Sequence, residues 1–304
     1  MNDSLSLYEF YQKFPDEAAA VAFFEKKRWG DDDGIWCPHC GSEDTRRVPS
    51  QKPMAHRCRE CRKHFSVRTG TVMAESRLPL HKWMLATYML LTARKGVSSL
   101  QMARELGVTQ KTAWFLEHRI RKAMQHRGGL LSGEVEVDES YFGGKEKNKH
   151  ESKRQHQGRG TVGKQPVIGL RERTGKVRAF PIAATDKSHL QTAIVENVKR
   201  GSTIYSDQHP GYIGMKGYEH ASVAHSVGEY VRGQIHTNGI ESFWALLKRG
   251  YVGTHHHMSF KHLHRYANEF AFRQNDGKDN TLHSIGKTID GMIGCRLSYQ
   301  ELIA

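Results

Sequence analysis

Apolar and polar positions alternate with two different periods along the chain, and the change of period divides it. Through residues 5–29 the apolar set Leu5, Leu7, Phe10, Phe14, Ala18, Val21, Ala22, Phe23 and Trp29 recurs at helical intervals. Pro15 has no amide hydrogen for a helix interior, so the pattern predicts two helices there. Helical spacing returns over Leu80–Arg94, with Trp83, Leu85, Ala86, Met89, Leu90 and Leu91, and stops at Lys95-Gly96. Ser98-Ser99 caps a shorter helix carrying Leu100, Met102, Ala103 and Leu106. Gly107 makes the turn, and Thr109 caps a third helix from Gln110 to about Gln125. Helix, glycine turn, helix is a helix-turn-helix pattern. Its last helix would present Thr109, Gln110, Lys111 and Thr112 to base edges.

From Glu134 to Phe142 the period drops to two, which reads as a strand with Glu136 and Asp138 on one face; Gly143-Gly144 ends it. Pro166–Arg171 and Lys176–Ala183 read as two more strands around the turn at Arg173-Thr174-Gly175, making an antiparallel meander. Asp186 caps a helix over 187–200, Ser202–Ser206 is a short strand with Asp207 at its end, and Glu219–Ser226 reads as another. A helix then starts near Asn238, taken as its N-cap, with Glu241 at capping-box spacing. Phe243, Trp244 and Leu247 form its apolar face, and Lys248 lies two turns beyond Glu241. Lys261–Gln274 and Thr281–Met292 are further helices. Strand, strand, strand, helix, strand, helix predicts an RNase-H-like α/β fold.

The cysteines add a separate module. Cys37-Pro38-His39-Cys40 and Cys58-Arg59-Glu60-Cys61 are two matched C-x-x-C knuckles. Four thiolates at this separation suit tetrahedral zinc in a ribbon, with a hairpin within Thr45–Arg57 and a third strand over Arg62–Val67. Redox pairs or disulfides fit less well in a cytosolic chain, and no secretory signal precedes the first helix. The expected architecture is multidomain α/β: N-terminal helices and zinc ribbon over 1–75, helix-turn-helix over 76–128, an RNase-H-like mixed sheet with flanking helices over 129–275, and a C-terminal tail over 276–304.

Charge then narrows the partner. The chain of 304 residues carries a net charge of +14. Residues 1–36 hold eight acids and four bases, so the rest carries +18. That balance points to a polyanion, nucleic acid first. The basic loop over 145–164, with Lys145, Lys147, Lys149, Lys153 and Arg154, is a candidate DNA contact. No apolar run of about 18 residues exists, so no membrane span is expected. A cytoplasmic, nucleoid-associated location follows from this reading.

Asp138 and Asp207 end strand-like runs, and Glu241 opens a helix. Carboxylates in those three kinds of position suit two hard divalent cations, magnesium or manganese, held about 4 Å apart for phosphoryl transfer. Glu136 and Glu139 are rival acids beside Asp138.

The motifs Val137-Asp138-Glu139-Ser140-Tyr141-Phe142-Gly143-Gly144, Ser206-Asp207-Gln208-His209-Pro210 and His236-Thr237-Asn238 through Glu241-Ser242-Phe243-Trp244 to Leu247-Lys248-Arg249 resemble the DDE domain of bacterial insertion-sequence transposases with an N-terminal zinc ribbon. So do His262–Tyr266 and Glu269–Arg273, and with the two knuckles the resemblance spans about residues 30 to 275. It implies that Asp138, Asp207 and Glu241 are the metal-binding triad and that Lys248 lies near the scissile DNA. It implies cutting at terminal inverted repeats and joining of 3′ ends to target double-stranded DNA, by a dimer or larger homo-oligomer. A DNA-binding regulator with an inactive catalytic fold, or a nuclease without strand transfer, are the rival readings.

Overall fold

The computed structural model describes residues 4–31, 34–144, 146–154, 160–173, 175–223, 237–276 and 280–304. Contacts divide the chain into two compact units, Met1–Ala93 with Val97–Gln125 and Asp279–Ala304, and Arg94–Gly96 with His126–Lys278.

In the first unit, α1 (Leu7–Lys13) and α2 (Glu17–Trp29) flank Pro15 and are capped by the side chains of Ser6 and Asp16. The ribbon follows as three antiparallel strands, β1 (Thr45–Arg47), β2 (His56–Cys58) and β3 (His64–Phe65), in that order. The third strand is shorter than the expected Arg62–Val67. Arg62 takes a left-handed φ of 58° in the second knuckle, and the Ser66 amide turns to the Thr69 hydroxyl. Then come α3 (Leu80–Thr92), α4 (Ser99–Leu106) and α5 (Gln110–Ala123). Gly107 ends α4, and the Thr109 hydroxyl accepts from the Thr112 amide to start α5. Trp83, Leu90, Met102, Leu116 and Ile120 are buried, as the helical spacing requires.

The second unit is a sheet with helices on both faces. Its elements are β4 (Glu134–Phe142), β5 (Gln165–Glu172), β6 (Val177–Pro181), α6 (Lys187–Asn197), β7 (Thr203–Asp207), β8 (Glu219–Val223), α7 (Asn238–Gly250) and α8 (Phe260–Asp276). The strand order is β6-β5-β4-β7-β8. The first three pair antiparallel, and β4, β7 and β8 run parallel. This is the RNase-H-like arrangement. Alternation along the strands sorts the core into two layers. Val135, Val137, Ile168, Leu170 and Ile204 pack with Leu190 and Ile194 of α6. Phe142, Val167, Val177 and Ala179 pack with Ile240, Phe243, Trp244 and Leu247 of α7 and with α8. Helix α6 stops short of residue 200 because Val198 turns extended and the Lys199 amide bonds the Leu131 carbonyl. The expected strand from Glu219 is seen through Val223; its last three positions lie outside the described residues.

The chain returns to the first unit in α9 (Thr281–Met292) and α10 (Tyr299–Ile303). Ile285, Ile289 and Met292 are buried there, and the Val72 amide bonds the Met292 carbonyl. Among the described residues, no helix is long and apolar enough to cross a membrane.

Candidate active site

The parallel ladder between β4 and β7 pairs Glu134, Val135 and Glu136 with Thr203, Ile204 and Tyr205. One further step of two residues brings Asp138 level with Asp207. Parallel neighbours in register point to the same face, so both acids face the α7 layer. On its other side Asp138 pairs with Gly169 of β5. A Cβ at Gly169 would stand 2.5 Å from Trp244 Cζ2 and 2.7 Å from Ile240 Cδ1. The missing side chain lets α7 lie close on the sheet, and Trp244 Nε1 then donates to Asp138 Oδ2 at 3.0 Å.

One carboxylate oxygen each from Asp138, Glu139 and Asp207 lies within 4.8 Å of the others. Burial, with the charges of Asp207 and Glu241, pushes the Asp138 carboxyl up to about 6, against the hydrogen bonds from the Glu139 amide and Trp244. Burial, with Asp207 and Asp138, pushes Glu139 up to about 7, although the Tyr212 hydroxyl donates to it at 2.5 Å. Tyr212 itself is driven well above the ordinary tyrosine range by burial and by Glu139. Asp207 Oδ1 accepts from the His209 amide at 3.0 Å. Three half-buried carboxylates offer hard oxygens, the donor set of magnesium or manganese.

Glu241 stands apart from that trio. It is exposed in the first turn of α7, and its Oε1 accepts from the Thr237 hydroxyl at 2.9 Å. Its charge still reaches Asp138. Lys248 is exposed further along α7.

The start of α7 differs from expectation. The cap position is Thr237, not Asn238, and no side-chain cap bond forms there. The cap comes instead from the sheet: Glu136 Oε2 accepts from the Ile240 amide at 2.8 Å. Glu136 is buried, with Arg173 Nε 3.8 Å away. A Cβ at Gly239 would stand 2.2 Å from Arg171 Nη1 and 2.6 Å from Glu136 Oε2, so a side chain there would push on the two groups beside the cap. The rival acids thus separate. Glu136 holds the helix that carries Glu241, and Glu139 joins Asp138 and Asp207. Neither the cap across the sheet nor the Tyr212 bond has a signal in the local sequence pattern.

In the ribbon the four sulfurs of Cys37, Cys40, Cys58 and Cys61 lie within 4.8 Å of one another. Cys37 and Cys61 are 3.7 Å apart and Cys40 and Cys58 are 3.6 Å apart. Four sulfurs converging from two knuckles fit a structural zinc site. At the start of α5, Thr109, Gln110 and Lys111 are exposed and Thr112 is half-buried. Gln110 Nε2 bonds Ser99 Oγ at 2.8 Å, and Lys111 Nζ lies 4.5 Å from the centre of the Tyr299 ring. In the basic loop Lys149 pairs with Glu146, and Arg154 Nε bonds the Lys149 carbonyl. Lys145 lies outside the described residues, as do the side chains of Lys147 and Lys153.

Asp207 ends β7 as expected, whereas Asp138 lies in the middle of β4, which continues to Phe142 along β5. An RNase-H-like sheet with level acids on two adjacent parallel strands, under a helix bearing a third, has the architecture of a DDE-type transposase. Residues 130–275 match the ISXO2-like transposase domain, and residues 15–64 match the transposase zinc-ribbon domain. An uncharacterized protein in transposable element ISH50 of Halobacterium salinarum is 30% identical over 274 residues, covering 86% of this chain and 92% of that one. The chain belongs to this family of zinc-ribbon transposases. Two solved structures are more distant, each at 13% identity. They are a simian T-cell lymphotropic virus intasome in complex with PP2A regulatory subunit B56 gamma and the Mos1 strand transfer complex. The first has a TM-score of 0.30 over 62% of this chain and 64% of that one, the second 0.21 over 67% and 78%. At such scores the fold assignment rests on the strand order.

Proposed function

We propose that the protein binds the terminal inverted repeats of its insertion sequence, cleaves the ends and joins the 3′ strands to target DNA. The observation that carries this reading is the register that sets Asp138 level with Asp207 beneath α7. Asp138, Asp207 and Glu241 would hold divalent cations, magnesium or manganese. Such a pair, when bound, neutralises charge building on the phosphodiester and favours an ionised attacking oxygen. The protein's own groups orient the acids. Trp244 holds one oxygen of Asp138 and the His209 amide holds one of Asp207. Lys248, exposed on the same helix as Glu241, would pair with phosphate beside the scissile bond.

Binding is assigned to the net positive charge beyond residue 36. Thr109, Gln110, Lys111 and Thr112 at the start of α5 would meet base edges. Lys145, Lys147, Lys149, Lys153 and Arg154 would meet phosphates. Two ends must be held together for joining, so the working form is a dimer or larger.

The test is joining of a labelled element end to target DNA with magnesium, comparing wild type, Asp138→Asn and Glu241→Gln. Joining by wild type, with both variants binding DNA but inert, supports the reading. Cleavage without joining makes the protein a nuclease. DNA binding with no reaction by wild type makes it a regulator. If Glu241→Gln reacts like wild type, Glu241 is not a ligand.

A further inference from the structure

The reading above takes one acid from each of two strands and one from a helix. The side chains are grouped differently. Asp138, Asp207 and Glu139 converge, while Glu241 is turned to the Thr237 hydroxyl. Glu139 sits next to Asp138 on β4 and would ordinarily point to the opposite face, into the α6 layer. The residue that meets it there is Tyr212, fully buried in that layer.

Tyr212 is delivered by a short turn that begins at Asp207 itself. Asp207 Oδ1 accepts from the His209 amide, His209 Nδ1 accepts from the Gly211 amide at 3.1 Å, and the Tyr212 amide bonds the His209 carbonyl at 3.2 Å. Gln191 of α6 ties the turn down by donating to the Gly211 carbonyl at 3.2 Å. The Tyr212 hydroxyl then donates to Glu139 Oε1 at 2.5 Å. One phenol hydrogen bond uses one lone pair of the carboxylate and leaves the rest for a cation. A single turn therefore sets two acids at once, Asp207 directly and Glu139 through Tyr212.

We propose that Glu139 is a cation ligand of this site and that Tyr212 is its positioning residue, so that Asp138, Glu139 and Asp207 hold one divalent cation before DNA is bound. This rests on the proposed transposase reading and refines its ligand set: Glu241 is not needed for that cation and belongs to the state with DNA in place.

The test is titration of the zinc-loaded full-length protein with manganese, without DNA, reading free Mn2+ by electron paramagnetic resonance. Wild type, Glu139→Gln, Tyr212→Phe, Glu241→Gln and Asp138→Asn are compared, with melting temperature and affinity for an element end measured on each. Wild type should bind Mn2+, and Glu241→Gln should bind it about as well. Glu139→Gln and Tyr212→Phe should each weaken binding roughly tenfold or more, the size of effect known for groups that orient metal ligands, with DNA affinity unchanged. A merely structural tyrosine would lower the melting temperature without this selective loss. Should Tyr212→Phe melt early, the Glu139→Gln arm decides. The proposal is overturned if Glu139→Gln binds Mn2+ like wild type, or if Glu241→Gln loses it. If Asp138→Asn also binds like wild type, the acid site itself is wrong and the transposase mechanism falls with it.

Discussion

Glu136 is one of four carboxylates within six residues of β4 that the sequence makes look interchangeable. Its partners separate it from the others, since it accepts from the Ile240 amide and lies beside Arg173. Replacing it by alanine leaves the buried Ile240 amide without this acceptor and takes away one of the two carboxylates beside Arg173, the other being Glu134. The expected cost is about 2–3 kcal/mol in urea unfolding. End joining should fall as α7 loosens while affinity for DNA ends holds. A second buried acid clamps the ribbon to α2. Glu25 accepts from His56 Nε2 at 2.9 Å and Arg47 Nη2 at 3.0 Å. Burial disfavours its charge, but the His56 bond and the Arg47 and His56 charges outweigh that and hold its carboxyl below the usual 4.5. A lowered folded pKa stabilises above the ordinary value and is lost as pH falls through the folded one. Wild type should therefore melt above Glu25→Gln at neutral pH, and the gap should close below pH 4.5. Asp138, Asp207 and Glu241 were legible as candidates because each lies on an element the periodicity marks, Asp138 within β4, Asp207 at the end of β7 and Glu241 in the first turn of α7. Which neighbour joins them was not legible, because it depends on Trp244, Tyr212 and the Ile240 amide, up to 106 residues away.

At the scale of elements, the helices of the first unit and the meander of the second follow directly from spacing. Caps at Ser6, Asp16, Ser98, Thr109 and Asp186 all accept from a backbone amide of the first turn. The starts of α3 and α7 differ, because their caps come from elsewhere in the chain: Glu17 accepts from the Leu80 and His81 amides, and Glu136 accepts from the Ile240 amide across the sheet. The ribbon strands are two or three residues long and enclose only Cys37, Cys58 and Phe65 as buried apolar groups, with Trp29, Ile35 and Cys61 packed around them. So small a core cannot hold three strands without its metal. Removal of zinc by a chelator, or Cys58→Ser, should make residues between 35 and 66 sensitive to protease while far-ultraviolet helix signal persists. Re-addition of zinc should restore resistance in the wild type alone. A ribbon that stays resistant without zinc would show that packing against α2 is sufficient.

Across the whole molecule, the segment after α8 is not a tail in space. Helix α9 buries Ile285, Ile289 and Met292 in the first unit, and the Gly294 amide bonds the Gly70 carbonyl. Arg119 Nε of α5 bonds the Leu297 carbonyl at 3.2 Å. Ending the chain before Asn280 should therefore destabilise the helix-turn-helix unit by several kcal/mol, the loss of three or more buried side chains at about 1.5–3 kcal/mol each. The check is the melting temperature of that unit, with DNA-end affinity as a second reading. Unchanged melting would mean that α9 is dispensable. The sequence by itself determined the zinc knuckles, the helix and strand periods, the basic balance and the three marked acids, because each is written in residues close along the chain. Only the tertiary structure decided that Glu136 caps a helix and that Glu139 joins the acids. It also decided that Gly169 admits Trp244 and that the last helix completes the first unit. Those are contacts between residues tens to hundreds of positions apart, and they exist only once the sheet register and the helix packing bring the partners together.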